Sequence, residues 1–293
     1  MSYLIQTGIS TGIHTEFFGL DAESTRAINI KEFGSKWIWY DRKIFYKFNK
    51  HGYRMNKELD DVDFDNYIAF FGCSNTVGVG LPLEETFAYQ IADKCGMDYV
   101  NAAAAGGSCD FVVKNFVSMI EAAPAPPKIV VINWPEISRT IYWYKNSMIF
   151  FYPAMAIDGP GHRYWNDAFK RFISEDSNLK NHFAHIRKTV VAICKLANIK
   201  LFECSNSIYP QVSPIGWPSE QQPTNKYSKN TTSGLMMPTA EYINWINKHF
   251  ARDILVTGTK SSYLDSMSVN NSAHPGIEYQ KQVVDLFFSK IQS

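Results

Sequence analysis

From residue 66 onward, short apolar runs alternate with helical patterns, and this alternation limits the possible folds more than any other feature of the chain. Tyr67–Phe71 and Ile129–Asn133 have the composition of buried strands. Leu83–Lys94 and Asp110–Ala122, which lie between them, carry apolar residues at helical spacing. Strands that alternate with helices form a parallel sheet with helices on both faces. The sequence therefore predicts an α/β fold.

The same alternation continues towards the C-terminus. Further strands are predicted at Tyr99–Asn101, residues 199–205 and Ile254–Val256, and further helices at residues 181–198, Ala240–Phe250 and Ile277–Ile291. The stretch from about 205 to 234 is rich in Pro, Ser, Asn and Thr, and no regular element is expected there. Residues 1–65 are irregular and rich in aromatic side chains. We therefore predict an N-terminal aromatic-rich extension over 1–65 that packs on an α/β core domain over 66–293.

The composition is that of a globular protein and argues against several partners. The chain is 45% hydrophobic and 19% charged, with a formal net charge of +1. Its basic and acidic residues are well mixed, and no basic stripe indicates a nucleic-acid or anionic-membrane surface. No apolar run approaches the roughly 20 residues of a membrane-spanning helix, and no signal-peptide pattern is visible. We expect a cytoplasmic protein, and nothing in the sequence indicates its oligomeric state.

The cysteine pattern argues against a disulfide framework and a structural metal. The number of cysteines is odd, with no Cys-x-x-Cys or Cys/His ligand spacing: Cys73, Cys95, Cys109, Cys194 and Cys204. Reduced thiols agree with the expected cytoplasmic location. No cofactor and no metal are predicted.

A single serine stands where the first buried strand ends. Ser74 follows Gly72 and Cys73 and precedes a loop of small residues. Ligands of open α/β sheets bind at the carboxyl ends of the strands, so a serine here would face a ligand. Two interpretations are open: a turn serine that caps the next helix, or a nucleophile. Cys73 is a weaker candidate nucleophile, because no neighbouring cation would lower the pKa of its thiol.

A nucleophilic serine needs a base and an oxyanion site, and the sequence offers candidates for both. Asn101–Ser108 again follows a strand, and Gly106-Gly107 lets its backbone approach a ligand closely. Its N–H groups and that of Ser74 could stabilise an oxyanion, although an ordinary glycine turn is the alternative. Among the seven histidines, His274 is the best placed general base, because Pro275 fixes the chain just before the last helix. A structural histidine is the alternative.

Taken in order, the segments "FGCSNTVGVGL", "NAAAAGGS" and "NNSAHPG" resemble the SGNH hydrolase family of GDSL-type esterases and lipases. The resemblance extends over residues 66–293 and implies a flavodoxin-like three-layer α/β/α sandwich. It implies that Ser74 is the nucleophile, that His274 is the base and that Gly106 belongs to the oxyanion site. Cys73 stands where the family usually has aspartate. Asn133 is the nearest candidate for the family's oxyanion asparagine, although "INWPEISR" replaces the usual Gly-x-Asn-Asp pattern.

The last motif departs from the family at the third catalytic position. The family has Asp-x-x-His, and here Asn271 stands three residues before His274. Asparagine can hold the imidazole tautomer but supplies no negative charge, and in a serine protease the same change lowers kcat by about 10⁴. Three interpretations remain open: Asn271 orients His274 with a weaker effect, Asp265 serves instead, or the site is no longer catalytic.

The resemblance implies an esterase that acts on a small O-acyl ester. An O-acetylated carbohydrate is one candidate substrate, since aromatic side chains suit the faces of sugars, and transfer to a sugar hydroxyl would use the same residues. The alternative is a binding or assembly module that kept the sandwich and lost catalysis. Nucleotide binding is least favoured, because "GCSNTVGVG" is not a phosphate-binding loop and no lysine follows its glycines.

Overall fold

The computed structural model describes residues 4, 12–19, 21–144, 147–151, 176–205, 212–215, 226–229, 236–252 and 274–291. The strand predicted at Ile254–Val256, and the candidates Asp265 and Asn271, lie outside the described residues.

The described residues form eleven strands and seven α-helices. The strands are β1 His14–Thr15, β2 Tyr46–Lys47, β3 Tyr67–Phe71, β4 Asp98–Asn101, β5 Ile129–Trp134, β6 Thr140–Tyr144, β7 Ser147–Phe151, β8 Lys200–Ser205, β9 Ser213–Pro214, β10 Tyr227–Lys229 and β11 Met236–Pro238. The helices are α1 Glu23–Phe33, α2 Ser74–Val77, α3 Phe87–Cys95, α4 Cys109–Ala122, α5 Asp176–Leu196, α6 Ala240–His249 and α7 Ile277–Ile291. The predicted alternation of strands and helices is confirmed.

A five-stranded parallel sheet has the order β4-β3-β5-β8-β9. Counted along the chain, this is the order 2-1-3-4-5 of flavodoxin-like sheets. The predicted α/β fold with a flavodoxin-like parallel sheet is therefore confirmed. The strand order reverses between β3 and β5, and ligands of such sheets bind at the carboxyl ends of the strands on either side of that point.

The central strands are covered on both faces. Every residue of β3 and of β5 is buried, as expected for parallel strands with helices on both sides. The Phe71 ring lies 5.8 Å from that of Phe116 in α4, edge to face. The Trp134 ring lies 5.2 Å from that of Phe183 in α5. These aromatic contacts fix α4 and α5 against the sheet.

The chain divides into two compact units, each assembled from separate segments. The first comprises Met1–Ile13, Phe48–Val77 and Ile91–Ile215, and the second His14–Lys47, Gly78–Gln90 and Gly216–Ser293. The first unit contains the parallel sheet and the β6–β7 hairpin. The second contains α1, α6, α7 and the strand pairs β1–β2 and β10–β11. The domain boundary at residue 65 stays a prediction.

The second unit contains a buried ion pair. The Arg252 guanidinium donates to both carboxylate oxygens of Asp21 at 2.9 Å, and these two side chains are 0% and 1% exposed. Arg252 also donates to the Glu16 carbonyl at 2.6 Å. The Tyr46 hydroxyl donates to Asp21 and accepts from the Gly80 N–H at 2.8 Å. One polar network therefore joins three segments that are distant in sequence.

Three secondary-structure predictions are wrong in part. Residues 1–65 contain α1, whose few apolar residues give a weak helical pattern; Phe33 at its end packs 6.4 Å from the Tyr242 ring. The helix predicted from Leu83 begins at Phe87, after a 3₁₀ turn that follows Pro82. The stretch 205–234 contains β9 and β10, which pair with the nearby strands β8 and β11 and are too short to show a period in the sequence.

Candidate active site

Ser74 begins α2, a single turn of helix that directly follows β3. The N–H groups of Thr76 and Val77 both donate to the Cys73 carbonyl at 3.0 Å, which closes the turn. At Gly72, a Cβ atom would lie 2.1 Å from Thr76 Oγ1 and 2.8 Å from the Asn133 carbonyl oxygen. Only glycine fits there. The chain can therefore turn sharply at the strand end and leave Ser74 partly exposed.

The loop after β4 packs against this turn. The Ala104 N–H donates to the Gly72 carbonyl at 3.4 Å. A Cβ atom at Gly107 would lie 3.0 Å from that same carbonyl oxygen and 2.9 Å from the Ala104 carbonyl oxygen. Gly106 has φ of +77°, in the left-handed region that favours glycine. The close packing at Gly107 and the left-handed conformation at Gly106 thus both call for glycine. Their loop contacts the turn of Ser74.

Asn133 lies near the carboxyl end of β5, beside the end of β3. It pairs with Cys204 of β8, and it is 1% exposed. Its carbonyl oxygen faces the position where Gly72 has no side chain. The structure thus brings Ser74, Gly106 and Asn133 to the carboxyl ends of three adjacent strands of the first unit, at the point where the strand order reverses.

Two buried polar side chains that no sequence motif singled out also hold the turn of Ser74. Arg54 donates through Nη1 to the Val77 carbonyl at 3.2 Å. Asn101 donates through Nδ2 to the Thr76 carbonyl at 3.0 Å. Both side chains are 1% exposed. Asn101 opens the segment "NAAAAGGS", so its position was visible in the sequence although its contact was not, and nothing in the sequence marks Arg54.

His274 belongs to the second unit and precedes α7. Its carbonyl accepts from the Ala251 N–H at 3.1 Å, and the Gly276 N–H donates to the His249 carbonyl at 2.8 Å. A Cβ atom at Gly276 would lie 2.8 Å from three backbone atoms of Phe250. The His-Pro-Gly backbone is therefore held tightly against the end of α6, and the His274 side chain is partly exposed.

The thiols next to the candidate site are buried. Cys73 is 6% exposed and Cys109 is 3% exposed. Burial, followed by the charge of the neighbouring Asp110, raises the pKa of the Cys109 thiol well above its usual value. Its Sγ donates to the Pro135 carbonyl at 3.5 Å. The burial of Cys73 favours its interpretation as a small core residue over that of an alternative nucleophile.

Within the described part of the chain, no group of three or more His, Cys, Asp or Glu side chains is arranged to hold a metal ion. In that same part, none of the helices is both long and apolar enough to cross a membrane.

Comparisons with known proteins give weak likenesses. No family model matches the chain, and no curated protein matches it. Several solved structures do. The esterase EstA from Pseudoalteromonas sp. is 14% identical over 78% of this chain and 97% of its own, with a TM-score of 0.36. A mutant of the esterase AlinE4 is 11% identical over 50% of this chain and 61% of its own, with a TM-score of 0.30. A member of the lipolytic protein G-D-S-L family from Veillonella parvula is 12% identical over 62% of this chain and 93% of its own, with a TM-score of 0.25.

These similar structures are esterases and GDSL-family lipolytic proteins, the class that the sequence motifs resemble. Because the TM-scores lie below 0.4 and the identities below 15%, the likeness carries no argument about activity. The fold assignment rests on the strand order and burial of the sheet itself.

Proposed function

We propose that this chain is a serine esterase-type hydrolase that acts on small O-acyl esters through an acyl-serine intermediate. The observation that carries the proposal is the packing of the Gly106 loop on the turn of Ser74, at the carboxyl ends of adjacent parallel strands. A partly exposed serine next to a partly exposed glycine loop is the arrangement that acyl transfer needs. A serine that only caps a helix needs no such loop beside it.

In the proposed reaction, Ser74 Oγ attacks the acyl carbonyl carbon while His274 accepts the hydroxyl proton. The carbonyl oxygen becomes an oxyanion, which the N–H groups of Ser74 and Gly106 and the side chain of Asn133 stabilise. The intermediate collapses, the C–O bond to the alcohol breaks, and His274 protonates the departing alcohol. Water that gives a proton to His274 then attacks the acyl-enzyme. The bond between the acyl carbon and Ser74 Oγ breaks, His274 returns the proton to Oγ, and the acid is released. A sugar hydroxyl in place of that water would give acyl transfer.

Asn271 is proposed as the group that orients His274. Its amide oxygen can accept the Nδ1–H of the imidazole and so hold the tautomer that leaves Nε2 free as a base. It supplies no negative charge for the imidazolium that forms, so we expect a slow enzyme. The proposed substrate is a small O-acyl ester, with an O-acetylated carbohydrate as the leading candidate on the sequence resemblance and the aromatic content of the chain.

The experiment is hydrolysis of p-nitrophenyl acetate and butyrate by wild type, Ser74→Ala and His274→Ala. We expect each substitution to lower kcat by at least about 100-fold, the usual contribution of a positioned acid–base group. Ser24→Ala on α1 and His185→Ala on α5 change exposed residues of the same types and serve as matched controls. Both controls should keep kcat within about twofold of wild type, because neither touches the proposed site.

The result that contradicts the proposal is absence of turnover by wild type together with absence of Ser74 labelling by a fluorophosphonate probe. That result would favour the binding or assembly module, in which the sandwich is kept without catalysis. Labelling of Ser74 without turnover would identify a competent nucleophile and an unsuitable acyl group, and a panel of longer and sugar-linked esters would follow.

A further inference from the structure

One buried amide connects the two loops of the proposed site. Asn101 is the last residue of β4 and is 1% exposed. Its Nδ2 donates to the Thr76 carbonyl at 3.0 Å, and its Oδ1 accepts from the Ala103 N–H at 3.3 Å. Thr76 lies two residues after Ser74, and Ala103 lies three residues before Gly106. A single planar group therefore contacts both the turn of the proposed nucleophile and the proposed oxyanion loop.

We infer that Asn101 is a positioning residue, which sets the distance between Ser74 and the oxyanion N–H of Gly106; this inference rests on the proposed function. Oxyanion donors work at about 2.7–3.1 Å from the developing charge. A displacement of about 1 Å can cost about 10²-fold in rate. The direct backbone contact between the two segments, from Ala104 to Gly72, is long at 3.4 Å. The two bonds of Asn101, at 3.0 and 3.3 Å, are shorter than this contact and supply a second connection between the segments.

The chemistry of the site explains why asparagine stands there. The Thr76 carbonyl needs a donor and the Ala103 N–H needs an acceptor, and both must come from one short neutral side chain. Aspartate would keep the acceptor but place a carboxylate oxygen against the Thr76 carbonyl oxygen. Leucine has a similar size, but its side chain can neither donate to the Thr76 carbonyl nor accept from the Ala103 N–H. Because both bonds are buried, loss of either one would lower the stability of the folded protein: a buried carbonyl or N–H that loses its partner is unfavourable.

A second buried asparagine provides a matched control. Asn115 in α4 is 0% exposed and donates through Nδ2 to the Ala102 carbonyl at 3.0 Å and to the Tyr53 hydroxyl. It therefore holds the same loop as Asn101, through the neighbouring residue. Neither of these two bonds extends to α2. A purely structural role for Asn101 would make the two alanine variants behave alike.

The experiment compares Asn101→Ala with Asn115→Ala on p-nitrophenyl acetate, with amide hydrogen exchange over residues 73–77 and 102–107. For Asn101→Ala we expect kcat to fall by about 10- to 100-fold with KM within about twofold, because geometry changes and substrate binding does not. Exchange should become faster in both segments. For Asn115→Ala we expect kcat within about threefold of wild type and faster exchange in 102–107 alone.

Equal losses of kcat in the two alanine variants would overturn the inference. An Asn101→Ala variant with a lower Tm and the kcat of wild type would overturn it as well. Asn101→Asp keeps size and acceptor and loses the donor, so it should reproduce the kcat loss if the alanine variant folds poorly. Absence of turnover and of Ser74 labelling in wild type would defeat the proposed function alone. Hydrogen exchange would then decide the inference: faster exchange of both segments in Asn101→Ala supports the connection, and a change in only one segment or in neither contradicts it.

Discussion

At the scale of single residues, the backbone of the candidate site includes positions that accept only one type of residue. Gly72 cannot carry a Cβ atom beside Thr76 and the Asn133 carbonyl. The backbone at residue 106 has a left-handed conformation that favours glycine. These requirements are structural and would hold in a binding protein as well as in an enzyme. Asn271 is different, because asparagine in place of aspartate changes the charge of the proposed triad and leaves its shape unchanged.

Asn271→Asp tests that charge directly. A carboxylate at this position stabilises the imidazolium of His274 in the transition state, so we expect kcat to rise by about tenfold or more. The upper limit is about 10⁴-fold, the loss of kcat that the reverse substitution causes in a serine protease. The measurement is kcat on p-nitrophenyl acetate, with Asp265→Asn as the comparison variant. Loss of activity in Asp265→Asn, with no gain in Asn271→Asp, would assign the third position to Asp265 instead.

At the scale of elements, helix ends are set by contacts that the local sequence does not contain. The apolar pattern predicts a helix from Leu83, yet α3 begins at Phe87. The Phe87 N–H is satisfied by Oε1 of Gln280 in α7, at 2.8 Å and 193 positions away. Gln280 is 1% exposed. A side chain from the last helix therefore caps α3 within the second unit.

Gln280→Leu should destabilise the protein. It removes the buried acceptor of the Phe87 N–H, so we expect the free energy of unfolding to fall by about 1–3 kcal/mol. Gln282→Leu changes an exposed glutamine on the same helix, and it should stay within about 0.5 kcal/mol of wild type. Urea unfolding of both variants is the measurement. Equal unfolding midpoints for the two variants would show that the cap contributes nothing.

At the scale of the whole molecule, stability responds to pH through a buried histidine. Burial, and to a lesser degree the ammonium of Lys50, lowers the pKa of His51 below its ordinary 6.5. The unfolded chain then binds a proton more readily than the folded protein does. Stability associated with this group is therefore complete above pH 6.5 and is lost as pH falls from there through the lowered pKa of the folded state.

His51→Gln should remove this part of the pH dependence. We expect the wild-type urea midpoint to fall between about pH 7 and pH 5, the range in which histidine titrates, and the variant to fall less. His185→Gln on α5 changes an exposed histidine and is the matched control. If the midpoint of His51→Gln declined as steeply as that of wild type, the decline would have to come from other groups.

The sequence by itself determined most of the sheet and helices of the α/β region and the position of the candidate serine. Predicted and observed bounds of β4 and β5 differ by one residue, and α7 was predicted with its observed bounds. These succeed because burial on both faces and helical spacing are local properties of the chain. The Gly-Cys-Ser and Gly-Gly segments were likewise visible, since sharp backbone turns require particular residues.

The tertiary structure alone decided the contacts that hold these elements and the site. The pairing of Arg252 with Asp21 spans 231 positions, and the bond from Asn101 to the Thr76 carbonyl spans 25. The two- and three-residue strands β9 and β10 carry no strand pattern of their own, and pairing with β8 and β11 satisfies part of their backbone. No local pattern encodes such partners, because a buried hydrogen bond depends on which groups the folded chain brings together and not on the residues beside each group in the sequence.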